Sequence, residues 1–251
     1  MQAKDRIILA LDVDETEEAI SLVRELAAYV GAFKVGMQLF NSVGPDIVRR
    51  IQDLGGRVFV DLKLHDIPNT VAGAARVIAR MGCLMYTVHA AGGSAMIQAA
   101  ADAVRDWQHE SGQPAGAAGP THQAPIMLAV TVLTSIDQHQ LEQELLISAM
   151  PIREVAVRMA KMAHSAGAGG VICSPHEIES VRAACGPDFK IVTPGIRPIW
   201  HGSNDQRRIT TPAAAVRLGA DYIVVGRPIT LAPHPASAAA RIAQEIEDTI
   251  Y

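Results

Sequence analysis

The 251-residue sequence has only three cysteines, Cys83, Cys173 and Cys185, and no Cys-x-x-Cys pair. An odd, scattered set of thiols reads as small buried hydrophobes in a reducing compartment rather than as a zinc site. Histidines 164, 176, 201 and 234 show no metal-ligand spacing either, so no metal is expected. Positive charge is not in excess: the formal net charge is −4 and the pI about 6.1. That argues against non-specific nucleic-acid binding, and any anionic ligand has to be met by local Arg and Lys. No uncharged apolar run reaches membrane-spanning length, so no membrane partner is expected. The opening Met1-Gln-Ala-Lys-Asp-Arg lacks a signal or transit pattern, which leaves the cytoplasm as the expected location. Aromatic residues make up 4% of the chain against 49% hydrophobic overall; with 20 glycines and many Ala and Val, that suits helices packed closely on a parallel sheet.

What is present is a regular alternation. The patterning predicts strands over 6–11, 32–37, 57–64, 84–89, 126–132, 170–173, 190–193 and 221–225. Between and after them it predicts helices over 15–29, 45–54, 70–81, 93–107, 151–165, 175–184, 212–218 and 235–248. Eight strand-to-helix repeats in a length near the roughly 250 residues typical of such folds point to an α/β protein, a single (β/α)8 TIM barrel. An open doubly wound sheet is the alternative, but no Gly-x-Gly-x-x-Gly follows the first strand. The whole chain, 1–251, reads as one catalytic domain. The Gly-, Pro- and Ala-rich stretch at about 110–124 joins a helix to a strand and is expected to be a flexible insertion on the face away from chemistry.

In a barrel, function collects at the C-terminal ends of the strands. Those ends carry Asp12, Lys34, Asp61 with Lys63, His89, Thr134 with Ser135, Arg197, and Gly226 with Arg227. Side chains alternate along a strand, so Asp61 and Lys63 share a face, Asp12 lies on the face of Ile8 and Ala10, and Lys34 points away from Phe33 and Val35. Two aspartates and two lysines from three adjacent strands thus meet in one mouth. A structural ion pair at a strand end is the plainer alternative for Asp61 and Lys63, although such pairs often cost more in desolvation than they return. The loops after strands seven and eight are the usual phosphate site of barrels, which draws attention to Arg197, Gln206, Gly226 and Arg227. The loop 194–211 is long enough to act as a lid. His89 reads as a supporting residue, and His65 receives no role.

The segments Leu11-Asp12, Phe33-Lys34-Val35-Gly36, Asp61-Leu-Lys-Leu-His-Asp-Ile-Pro-Asn-Thr70, Thr87-Val-His-Ala-Ala-Gly-Gly93, Leu133-Thr-Ser135, Pro194-Gly-Ile-Arg-Pro198, Asp205-Gln-Arg207 and Val225-Gly-Arg-Pro228 together resemble the orotidine 5'-monophosphate decarboxylase family. The ten-residue central motif is highly specific, and the matches run from the first strand to the eighth. The resemblance implies cofactor-independent decarboxylation of orotidine 5'-monophosphate to uridine 5'-monophosphate, the final step of de novo pyrimidine nucleotide biosynthesis. It implies an alternating charge array of Lys34, Asp61, Lys63 and Asp66, and a homodimer with shared active sites in which Asp66, Ile67 and Thr70 reach the partner's pocket. It further implies that Asp12 and Lys34 bind ribose hydroxyls and that Ser135 meets the pyrimidine edge, with Thr134 in the same pocket. Arg197, Gln206, Gly226 and Arg227 would hold the phosphate. From the residues alone, Asp66 reads equally as a cap on the helix near Pro68.

Loss of carbon dioxide from C6 leaves an electron pair in the ring plane, where the π system cannot spread it. Without a cofactor sink, preorganised charge and a positioned acid remain. Lys63 is the expected source of both, with Asp61 repelling the substrate carboxylate and fixing Lys63. Two rivals stand beside this reading. One is a metal-dependent sugar-phosphate decarboxylase or aldolase of the same barrel group, which tends to carry a metal-binding acid where Lys34 stands. The other is a non-catalytic phosphate-ligand sensor, which has no need of Lys63 beside Asp61.

Overall fold

The structure, a computed structural model, describes residues 1–110, 124–201 and 210–250, without the side chains of 201 and 250. Short aliphatic runs form β1 (Ile7–Ala10), β2 (Ala32–Gly36), β3 (Val58–Leu64), β4 (Met85–His89), β5 (Ile126–Val130), β6 (Gly170–Ile172), β7 (Lys190–Thr193) and β8 (Tyr222–Val225). Each pairs in parallel with its neighbour in sequence, and β8 returns to β1, so the sheet closes. Closure leaves no strand edge exposed, and alternation sorts the strand side chains into two layers. Ile8, Ala10, Ala32, Phe59, Met85, Leu128, Val192 and Val224 fill the inside. Ile7, Leu9, Phe33, Val35, Val58, Val60, Ile223 and Val225 face the helices.

The covering helices are α1 (Thr16–Leu26), α2 (Met37–Val43), α3 (Asp46–Asp53), α4 (Pro68–Arg80), α5 (Gly93–Glu110), α6 (Gln138–Gln143), α7 (Ile152–Ser165), α8 (Ile178–Cys185), α9 (Pro212–Arg217), α10 (Arg227–Thr230) and α11 (Pro235–Ile250). Their buried positions recur at helical spacing, as with Ala19, Ile20, Val23 and Leu26 on α1. Proline, which needs no N–H partner and presets φ, opens α4 and α9. Cys83, Cys173 and Cys185 are buried, and burial pushes the Cys83 thiol up to about 12, so it packs as a small hydrophobe. Among the described residues no helix is long and apolar enough to cross a membrane.

Three short helices depart from the patterning. The second strand stops at Gly36 because Met37 opens α2. After β5, Asp137 accepts from the Gln140 N–H at 2.9 Å while the Gln140 side chain accepts from the Asp137 N–H, a capping box that starts α6. The single turn of α10 follows directly on Gly226. Helix α5 runs to Glu110 rather than Trp107, and the Glu110 carboxylate pairs there with Arg76 of α4 at 3.1 Å. The insertion expected at about 110–124 falls, apart from its two end residues, outside the described residues.

At the face opposite the strand ends that carry the charges, Arg182 of α8 donates to the carbonyls of Gly186, Pro187, Phe189 and Gly219 and to the Asp221 carboxylate at 2.6 Å. Asp221 also accepts the Ile191 N–H, so one guanidinium ties α8 to the entries of β7 and β8. Removing it strands a mostly buried carboxylate that Lys190, at 3.9 Å, only partly compensates. Arg182→Ala is therefore expected to cost about 3 kcal/mol in urea-melt stability, the low end for breaking a buried pair, with turnover per folded molecule unchanged.

Candidate active site

Strand register places the charges. Lys34 lies beside Ala10 of β1 and Phe59 of β3, both in the inner layer, and Gly36 lies beside Asp61. Lys34 therefore points inward, and so does Asp61, two residues beyond Phe59. Lys34 Nζ stands 3.1 Å from Asp12 Oδ1 and 3.8 Å from Asp61 Oδ2, and Lys63 Nζ stands 2.9 Å from Asp61 Oδ1. Within one chain the row reads carboxylate, ammonium, carboxylate, ammonium. Gly36 leaves room for the ammonium: a Cβ there would come 2.9 Å from Lys34 Nζ, so a side chain would push it aside from its place near Asp12.

Asp61 is 8% exposed, so its charge is held by partners rather than by water. Lys63 reaches it from a distorted strand. Its φ is +52°, a left-handed conformation that costs a side-chain-bearing residue about 1–2 kcal/mol. The β3–β4 register also slips between Val60 and Leu64. Strain of this kind persists only where surrounding contacts enforce it. Here the enforcing contact comes from Thr87, which the sequence reading left without a role.

Two cavities flank the row. One, about 230 Å³, has Lys34, Asp61 and Lys63 on one side and Val130, Ile172 and Val224 on the other. Its apolar wall lowers the local dielectric and strengthens each charge interaction. The second, about 280 Å³, is lined by Asp12, Gly226, Arg227 and Thr230. The Asp12–Lys34 pair joins them, since each partner lines a different cavity.

The remaining residues fall unevenly. Thr134 lines the cavity of Lys63, and Ser135 follows it in an exposed turn. Arg197 is 6% exposed, and its N–H donates to the Thr210 carbonyl at 3.1 Å, pinning together the two ends of the loop after β7. Gln206, with the rest of 202–209 in the expected lid, lies outside the described residues. Asp66, Ile67 and Thr70 are exposed, and Asp66 Oδ1 accepts the Ile67 N–H at 2.6 Å without joining the row of its own chain. The side chain of Asp66 thus bonds the residue that precedes α4. Among the described residues, no group of three or more His, Cys, Asp or Glu is placed to hold a metal ion.

His65 stacks on His89 at 5.3 Å between ring centroids. His89 Nδ1 accepts the Ala91 N–H, which fixes its orientation. Burial, then His65, then Lys63 hold the His89 pKa below its ordinary 6.5.

The model of the "Orotidine 5'-phosphate decarboxylase / HUMPS family" matches residues 5–242. The chain is 57% identical to an orotidine 5'-phosphate decarboxylase of Syntrophomonas wolfei, over 99% of this chain and 100% of the other. It is 53% identical to that of Moorella thermoacetica, over 98% and 94%. The crystal structure of orotidine 5'-phosphate decarboxylase from Lactobacillus acidophilus superposes with a TM-score of 0.80 at 41% identity, covering 96% of this chain and 98% of that one.

A neutral His89 is the folded-state form, so the unfolded chain takes up the proton first as pH falls below 6.5. The associated stability is whole above that value and is lost as pH falls toward the lower folded pKa. Melting temperature is expected to drop from about pH 7.5 to about pH 5.5, and less steeply in His89→Gln; equal slopes would refute the assignment.

Proposed function

The chain belongs to the orotidine 5'-phosphate decarboxylase / HUMPS family, and from that premise we propose how its residues divide the conversion of orotidine 5'-monophosphate to uridine 5'-monophosphate and carbon dioxide, the last step of pyrimidine nucleotide synthesis. The observation that carries the proposal is the Asp12–Lys34–Asp61–Lys63 row set between two cavities. A nucleotide has the same layout: a base at one end, a phosphate at the other and ribose hydroxyls between. In this reading the pyrimidine occupies the apolar cavity beside Lys63, with Thr134 and Ser135 at its edge. Asp12 and Lys34 take the ribose hydroxyls. Arg197, Gln206, Gly226 and Arg227 hold the phosphate.

The C6 carboxylate then lies against Asp61, whose charge repels it and whose partners fix its orientation. As the carbon–carbon bond breaks, carbon dioxide departs toward the apolar wall and the electron pair stays on C6. An ammonium about 4 Å away stabilises that pair by roughly 4 kcal/mol at an effective dielectric of 20. Lys63 then donates a proton from Nζ to C6, and solvent returns one to the amine. Phosphate binding at the far cavity supplies energy that can organise the row, which is how remote contacts raise turnover and not only affinity.

The metal-dependent sugar-phosphate decarboxylase or aldolase of the same barrel group fits less well. Where that chemistry tends to place a metal-binding acid, this chain has Lys34, a cation already paired with two aspartates. Exposure of Asp66, Ile67 and Thr70 beside the mouth, with Ile67 67% exposed, supports a homodimer in which these residues complete the partner's pocket.

Purified protein is expected to turn over orotidine 5'-monophosphate in excess chelator, followed by loss of orotate absorbance. Lys63→Ala is expected to abolish turnover and still bind the product, and substantial residual activity would remove Lys63 from its role. When Lys63→Ala and Asp66→Asn subunits are mixed, one intact site per mixed dimer is expected to restore activity. No recovery in verified mixed dimers rejects the shared pocket.

A further inference from the structure

We infer that Thr87 is a positioning residue of the decarboxylation site, acting through both Asp61 and Lys63; this rests on the division of labour proposed above. Thr87 sits on β4 two residues beyond Met85, an inner-layer residue, so its side chain points into the barrel directly beneath the charges. It is fully buried. Its hydroxyl accepts the main-chain N–H of Lys63 at 2.8 Å and donates to Asp61 Oδ1 at 3.0 Å.

The direction of each bond follows from the donors present. A backbone N–H can only donate, so the Thr87 oxygen accepts from Lys63, and the single hydroxyl hydrogen is left for the carboxylate. Between the pairs Val60↔Tyr86 and Leu64↔Val88, β3 advances four residues while β4 advances two. A regular ladder has no place for that excess, and the Lys63 N–H finds the Thr87 hydroxyl where a β4 carbonyl would ordinarily be. The same atom thus holds the left-handed turn at Lys63 and the rotamer of Asp61.

The chemistry needs a neutral donor there. Asp61 Oδ1 is shared by Lys63 Nζ and the Thr87 hydroxyl, while Oδ2 faces Lys34. When Lys63 passes its proton to C6, the amine no longer holds Asp61 by charge. The Thr87 hydrogen bond does not change with that step, so the carboxylate stays oriented until Lys63 is reprotonated. Thr87 touches neither substrate cavity wall directly, and its effect belongs to turnover rather than to binding.

The test compares Thr87→Val, which keeps the shape and removes the hydroxyl, with Thr87→Ser, which keeps the hydroxyl and removes a methyl. In steady-state assays Thr87→Val is expected to lose roughly ten- to a hundred-fold in kcat, the scale of a small misplacement of reacting groups, with KM for orotidine 5'-monophosphate nearly unchanged. Thr87→Ser is expected to recover most of kcat. Wild-type kcat in a folded Thr87→Val protein, or equal losses in Val and Ser, would overturn the inference. If Thr87→Val does not fold, Thr87→Ala takes its place, and the inference then requires Ser to exceed Ala by about ten-fold in kcat. Full activity in Lys63→Ala would instead sink the reading on which this rests, whatever the Thr87 variants do.

Discussion

One buried carboxylate organises the mouth of this barrel. Asp61 is nearly sealed from water, and a carboxylate in that position needs hydrogen-bond donors from the protein in place of water. Lys63 and Thr87 meet one of its oxygens and Lys34 faces the other, while Asp12 holds Lys34 from the far side. Each member is therefore constrained by the next. A substrate carboxylate brought against Asp61 meets a negative charge that can neither turn away nor take up water, with an ammonium fixed alongside it.

The barrel supplies this arrangement because closure aligns strand ends at a common depth. Register between neighbours fixes which residues share a level, and alternation fixes which of them point inward. Apolar side chains below the charges, Phe59 and Met85 among them, exclude water from beneath. The price is local: the third strand must break its regular pairing and accept a left-handed residue at Lys63. Function and irregularity coincide at one point, where a reactive amine has to be aimed rather than merely placed.

Much of this was legible in the residues. Alternating strand and helix patterns indicate the barrel, and polar residues at the strand ends mark Asp12, Lys34, Asp61 and Lys63. Period-two alternation put Lys34 opposite Phe33 and Val35, and the structure has those two in the outer layer. The short helices were less visible. The Asp137–Gln140 capping box that starts α6 was present in the sequence and overlooked, whereas α10 is a single turn with too little periodicity to register. Thr87 left a fainter trace, a small hydroxyl on the inward face of its strand at even spacing from Met85 and His89.

The sequence by itself determined the class of fold, the family and the residues from which a site had to be made, because hydrophobic period and residue chemistry are local properties. Tertiary structure alone decided which partner each charge takes, since that depends on register between strands distant in sequence. It also decided that Gly36 lies against the Lys34 ammonium, and that a threonine 24 residues beyond Lys63 holds its backbone. Those facts are distances across a closed sheet, and no pattern along a single strand encodes them.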